Sequence, residues 1–212
     1  MRAATAERTE ELLERERALW SRGLRHIAGV DEAGLGPLAG PVVAAAVILP
    51  PGVGIEGADD SKRLSPRARL AAERLIRRRA LAVGTGLASL EEIERWNIRQ
   101  AGILAMQRAL EDLSIPPEHV LLDARTIPGL PWPQEAHIKG DAKIHAIACA
   151  SIIAKVLRDR LMDRYDRLYP EYGFGRHRGY ATAEHRAAIA RFGPCPLHRR
   201  GFRGAGEQPS LF

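Results

Sequence analysis

Between two apolar stretches the chain carries Gly34-Leu35-Gly36-Pro37-Leu38-Ala39-Gly40-Pro41, and this short string decides how the fold can begin. Residues 26–31 before it and 42–49 after it read as strands, and the second is the longest apolar run in the chain. Two prolines and three glycines leave no room for a helix, so the first connection is a hairpin and the first two strands are antiparallel. Residues 81–87, 120–123 and 135–139 read as further strands. Helices alternate with them. Ser65 caps one that opens on Pro66 and runs to about residue 79. Ser89-Leu90-Glu91-Glu92 is a capping box for one that runs to about residue 113. Residues 145–168 form a long helix, and Thr182 caps a last one over 183–191. Helices between strands favour parallel pairing, so the expected class is α/β: a mixed sheet flanked by helices, with a helical C-terminal region.

The rest of the composition narrows the class further. Hydrophobic residues make up 45% of the 212, which excludes a disordered chain. Residues 1–25 are expected as a charged N-terminal helix, helical over 9–20, with no apolar segment of signal-peptide type. Residues 26–203 form the expected domain, and 204–212 a flexible tail. No apolar run approaches membrane-spanning length, so no membrane partner is expected. Cys149 and Cys195 fall in no metal-binding or disulfide spacing, and a reducing, cytoplasmic setting follows. The net charge is +6, and because lysine occurs only at 62, 139, 143 and 155 the excess is arginine. That balance admits a polyanionic partner but specifies no chemistry.

Four acids stand out by context. Asp31 and Glu32 end the first strand, Asp123 ends a buried one, and Asp141 precedes the long helix. A carboxylate at a buried strand end is costly unless neutralised, and converging carboxylates raise one another's pKa. A divalent cation resolves both problems, and an all-oxygen set selects Mg²⁺ or Mn²⁺. Taken singly, each acid reads more readily as a helix cap or turn partner, and only a clustered set weakens that reading. Neighbours on a strand face opposite sides, so Asp31 and Glu32 share a site only if the chain turns there.

The glycine string also resembles a dinucleotide fingerprint, but that motif must open a helix, which Pro37, Gly40 and Pro41 forbid. A nicotinamide oxidoreductase is therefore disfavoured. What remains is a loop whose bare backbone can approach a sugar or phosphate, or a plain tight hairpin. Lys62 sits in a polar loop that suits phosphate or solvent. Asn97, poorly placed within a helix, reaches a backbone group or a ligand, or is merely tolerated. His177-Arg178-Gly179-Tyr180, with Tyr172 and Phe174, interleaves bases with aromatic rings that can stack on sugar or base.

Taken in order, the motifs resemble the ribonuclease HII family. Ile27-Ala28-Gly29-Val30-Asp31-Glu32-Ala33-Gly34 with Gly36-Pro37-Leu38-Ala39-Gly40-Pro41-Val42 is similar to its opening motif, and Asp60-Ser61-Lys62-Arg63-Leu64 to its second. Asn97-Ile98, Leu122-Asp123, Gly140-Asp141-Ala142-Lys143, Ser151-Ile152-Ile153-Ala154-Lys155, Tyr172-Gly173-Phe174, His177-Arg178-Gly179-Tyr180 and His198-Arg199-Arg200 continue the likeness over residues 26–203.

The resemblance implies an RNase H-like fold. It implies a metal-dependent endonuclease acting on the RNA strand of RNA/DNA hybrids and at ribonucleotides embedded in duplex DNA, leaving 5′-phosphate and 3′-hydroxyl ends. The role would be ribonucleotide repair or primer removal. Asp31, Glu32, Asp123 and Asp141 would be the catalytic carboxylates holding two Mg²⁺ or Mn²⁺ ions. Gly34, Leu35, Gly36, Lys62, Lys143 and Tyr180 would contact substrate, with Tyr180 stacking on the junction sugar. Lys155, Arg178, Arg199 and Arg200 would complete a basic rim, and the protein is expected to act as a monomer. A catalytically silent hybrid-binding protein of the same fold is the alternative, which the full carboxylate set disfavours. Asp159 also matches the family, but its place inside a helix among arginines reads as an ion pair. Three positions depart from the family pattern: Leu35 replaces an arginine, and Ile144 and Ala146 stand where serine is usual.

Overall fold

All seven residues of the strand Val42–Ile48 are buried, which places it inside the sheet with both faces covered. The computed structural model describes residues 2–202, 204 and 205; of the tail expected over 204–212, residues 206–212 lie outside them. Five strands, β1 (Ile27–Ala33), β2 (Val42–Ile48), β3 (Ala82–Ala88), β4 (His119–Asp123) and β5 (Gln134–His137), form one sheet in the order β3-β2-β1-β4-β5. The hairpin is present: β1 runs antiparallel to β2, with Asp31 opposite Ala45. β4 pairs in parallel with β1 on one side and β5 on the other. Among the described residues no helix is long and apolar enough to cross a membrane.

β3 departs from expectation. A helix, α3 (Pro66–Arg79), separates it from β2, yet the two strands are antiparallel, with Ile48 opposite Ala82. The Leu81 N–H donates to the Ile48 carbonyl at 2.8 Å, so the chain re-enters the sheet at the end it left. α3 packs beside α5 (His145–Leu168) instead of crossing the sheet, and a helix used this way is an excursion inside a hairpin.

The two-residue period of β2 sorts its side chains. Val42, Ala44, Ala46 and Ile48 meet Ala101, Ala105, Met106 and Ala109 of α4 (Leu90–Glu111) on one face. Ala45 and Val47 meet Ile152, Ile153 and Val156 of α5 on the other. α5 lies close on β1: a Cβ added to Gly29 would fall 2.1 Å from the Ala146 carbonyl carbon, so only glycine fits there. The capping box read at Ser89 and the caps read at Ser65 and Thr182 are all present. Asn97 breaks α4 with φ 69° and ψ 165°, and its Oδ1 accepts from the N–H groups of Arg99 and Gln100 at 3.0 and 3.2 Å. It thus reaches backbone and caps the second half of the helix.

The N-terminal segment forms two helices, α1 (Arg2–Leu12) and α2 (Glu14–Trp20), where one was expected, and Leu12, Leu13 and Leu19 bury themselves against the body. At the other end α6 (Phe174–His177) and α7 (Ala183–Phe192) enclose a small core with Leu38, Met162 and Cys195. Ala205, expected in the tail, is buried there too.

Candidate active site

The parallel register of β1 on β4 ends at Val30 and Leu122, so the next residues, Asp31 and Asp123, stand side by side at the carboxyl edge of the sheet. Ligands bind at that edge in open α/β sheets. A cleft of about 310 Å³ opens there, lined by Asp31, Glu32, Asp123 and Arg125, by the loop residues Gly34, Leu35 and Gly36, and by Lys62, Lys155 and Tyr180. Asp31 and Glu32 share it without the expected turn. Both lie inside β1, paired with Ala45 and Ala44 on opposite faces. They line one space because the cleft opens past the last residue of β4 and is reached from either face.

The electrostatics are those of acids held together against their preference. Burial raises the Asp31 pKa well above the carboxylate range, and Glu32 and Asp123 push it further. Burial also carries Glu32 up to about 7, with Asp123 adding to it and Arg125 opposing. Asp123 is raised by burial and by Asp141, against the pull of the Gly140 N–H, which donates to its Oδ1 at 2.7 Å. Asp141 is buried in a 3-10 turn, Gly140–Ala142, off the cleft lining, and Lys62 Nζ donates to its Oδ2 at 2.9 Å. Glu32 Oε2 is buried with no hydrogen-bond partner among the described residues.

No group of three His, Cys, Asp or Glu side chains among the described residues is closed tightly enough to hold an ion as it stands. The donor chemistry nevertheless fits a hard divalent cation. Every acid is an oxygen donor, their charges repel, and one buried oxygen is unsatisfied. Lys62 meanwhile occupies the fourth acid.

The loop is fixed from below. The side chain of Arg199 is wholly buried, and it donates to the carbonyls of Gly34 (2.6 Å), Leu35 (3.1 Å), Pro37 (2.8 Å) and Gly40 (2.7 and 2.9 Å). Arg158, equally buried, donates to Ala39 and Pro41. Leu35 leans on α4, where a Cβ on Gly102 would meet its Cδ2 at 3.1 Å. Tyr180 is 44% exposed and its ring lies beside Gly36, where an added Cβ would fall 3.9 Å from it, with Lys155 and Arg158 each 6.0 Å from the ring centre.

The expected basic rim therefore changes membership. Arg199 points inward to carbonyls. Arg178 is tied to Asp163 and to the Asp159 carbonyl, and Arg200 reaches Glu94 at 3.7 Å. Lys143 is exposed and lies off the cleft lining. The cations that line the cleft are Lys62, Lys155 and Arg125. Arg125 was missed; its signal is its place two residues after a strand-ending acid. Asp159 is an ion-pair residue, held by Lys155 at 2.6 Å and Arg69 at 3.3 Å. Ile144 and Ala146 are buried at the start of α5, where Ile144 holds the cap position with no side-chain hydrogen bond. Cys149 and Cys195 are buried thiols outside any disulfide, and burial raises the pKa of both.

The sequence profile of the family described as Ribonuclease HII matches residues 28–205. The chain belongs to the ribonuclease HII family. The ribonuclease HII of Syntrophotalea carbinolica is 54% identical over 192 residues, covering 91% of this chain and 92% of that protein. Among solved structures, the ribonuclease H2 of Pyrococcus horikoshii superposes with a TM-score of 0.72 at 28% identity, over 84% of this chain and 94% of that one. The ribonuclease HII of Archaeoglobus fulgidus, solved in complex with PCNA, gives 0.67 at 25%, over 88% and 98%. The fold is RNase H-like, and the chain is a nuclease of ribonuclease H type.

Proposed function

We propose that this protein hydrolyses the RNA strand of RNA/DNA hybrids and nicks duplex DNA at embedded ribonucleotides, as a metal-dependent endonuclease. The observation that carries the reading is the convergence of Asp31, Glu32 and Asp123 in one cleft that Lys62, Lys155, Arg125 and Tyr180 border. Asp31, Glu32, Asp123 and Asp141 would hold Mg²⁺ or Mn²⁺, which when bound in a pair lowers the pKa of a water and shields the phosphate charge. The carboxylates would thereby orient that water toward phosphorus. Lys62, which now pairs with Asp141, would be free to meet the phosphate if that carboxylate held an ion instead. Tyr180 supplies a flat face for the sugar, and the bare backbone of Gly34 and Gly36 lets a 2′-hydroxyl come close. In-line attack of the water would form a new bond to phosphorus and break the bond to the 3′-oxygen, which takes up a proton released from water and leaves as hydroxyl, with the phosphate on the 5′ end.

The test is a duplex carrying one ribonucleotide. Nicking is expected with Mg²⁺ or Mn²⁺, none with EDTA, and none from Asp123→Asn. Binding without nicking in either metal would replace the enzyme with a silent hybrid-binding protein.

Leu35 gives this chain one phosphate contact fewer than an arginine there would. Leu35→Arg is expected to tighten duplex binding and to steepen the slope of log K against log salt by about 0.9, the increment for one more phosphate neutralised. Parallel salt titrations of the two proteins measure it, and identical slopes remove the idea.

A further inference from the structure

Polar contacts from α1 and α2 reach both arms that carry Lys62 and Asp141. Arg8 donates to the Ala142 carbonyl at 2.5 Å, one residue past Asp141, and its guanidinium lies 3.6 Å from Asp59, three residues before Lys62. Arg15 pairs with Glu135 on β5, with Nε donating at 2.8 Å. Glu16 reaches across the fold so that its Oε1 accepts the Ala146 N–H at 2.7 Å. Leu19 packs on Ile144 and Ile147. Residues 142, 144 and 146 follow Asp141 directly, so the segment after the acid is gripped at three successive points.

Glu16 is the telling member. α5 has Ile144 at its N-cap position with no side-chain cap of its own, and the carboxylate of another helix supplies the missing acceptor at its N-terminus. The arrangement is poor value for stability alone. Glu16 is 2% exposed, its Oε2 has no hydrogen-bond partner among the described residues, and burial lifts its pKa to about 7. An apolar residue would pack there at lower cost.

We infer that α1 and α2 are a brace that positions Asp141 for metal and substrate, with Glu16 as the positioning residue at its centre. The inference rests on the proposed catalytic role of Asp141. It makes the segment before the sheet a working part of the site, although that segment precedes residues 28–205, the stretch matched by the family.

The full chain is compared with Glu16→Ala, Glu16→Gln and Arg8→Ala by amide hydrogen exchange over residues 140–146 without metal, and by kcat and KM with saturating Mg²⁺. Glu16→Ala is expected to speed exchange at Ala146 about tenfold and to lower kcat about tenfold, with KM within twofold; a charge-assisted bond is of that size. Glu16→Gln keeps the acceptor and should stay within about threefold of wild type in both readouts, while its Tm at pH 8 rises because no charge is buried. Exchange and kcat unchanged in Glu16→Ala overturn the inference, as does a glutamine variant that falls as far as alanine. Should Glu16→Ala not fold, Arg8→Ala decides by the same two readouts at Ala142 and its neighbours. A wild type that cleaves nothing refutes the activity, while the exchange data still decide the brace.

Discussion

Asp31→Asn is expected to abolish cleavage and to make the metal-free protein more stable. Asp31 is 4% exposed, and its negative charge is opposed by burial and by Glu32 and Asp123. Asparagine keeps an oxygen to accept the Glu32 N–H, which Asp31 Oδ1 now does at 2.7 Å, but carries no charge to repel its neighbours. Removing that repulsion is worth ~1 kcal/mol, a rise in Tm of about 2–4 °C for a domain of this size. Activity should fall at least about a thousandfold, the loss that follows from removing ~4 kcal/mol of transition-state stabilisation. The same logic predicts that Mn²⁺ raises the Tm of the wild type, by the equivalent of about 2.7 kcal/mol at a hundred times its Kd, and raises that of the variant less. Glu32 contributes to the pH dependence, in the same direction as Glu16, Asp31 and Asp123. Its folded pKa of about 7 lies above the ordinary 4.5, so the folded state binds the extra proton between those values. Stability without metal therefore falls as pH climbs from about 4.5 to 7. Thermal melts in EDTA and in Mn²⁺, beside a nicking assay, check all of this. A variant that melts lower than wild type in EDTA, or that cleaves at a tenth of its rate, sinks the account.

The local features of this fold were legible because their causes are local. Glycines and prolines at 34–41 force a hairpin whatever surrounds them, and Ser65, Ser89 and Thr182 cap helices through bonds that span three residues. The direction of β3 was not legible. A helix between strands signals a crossover only if it packs over the sheet, and whether α3 does so depends on α5, which lies some 80 residues later in the chain. The acids were readable from their cost: a carboxylate ending an apolar strand needs a reason. The shared cleft of Asp31 and Glu32 was not, because strand alternation argues against it until the shorter β4 is seen to stop at Asp123. Arg199 was misplaced on the rim for a related reason. A buried arginine whose partners are carbonyls has no acidic counterpart to mark it in sequence, so His198-Arg199-Arg200 reads as a surface cluster.

That buried guanidinium carries the second large expectation: Arg199→Met should cost about 3–5 kcal/mol, and the Tm should drop by roughly 10 °C. Methionine matches the arginine stem in length and can fill the same channel beside Phe202, which the guanidinium overlies at 5.2 Å. What it cannot do is donate. The carbonyls of Gly34, Leu35, Pro37 and Gly40 would lose their donor together, and an acceptor buried without a partner carries its full desolvation cost. Arg199→Lys should recover only part of the loss, because one ammonium cannot span acceptors that a planar fork reaches from both sides. The exposed Arg74→Met is the matching control and should melt within about 1 °C of wild type. The functional consequence is separate from the thermal one. Gly34, Leu35 and Gly36 line the cleft, so at temperatures where Arg199→Met stays folded the loosened loop should raise KM for the ribonucleotide duplex more than it lowers kcat. Melting curves and steady-state kinetics at about 20 °C read the two effects independently. A methionine variant that melts within about 2 °C of wild type would mean that the loop holds its shape without the buried fork, and that its glycines and prolines alone define the cleft wall.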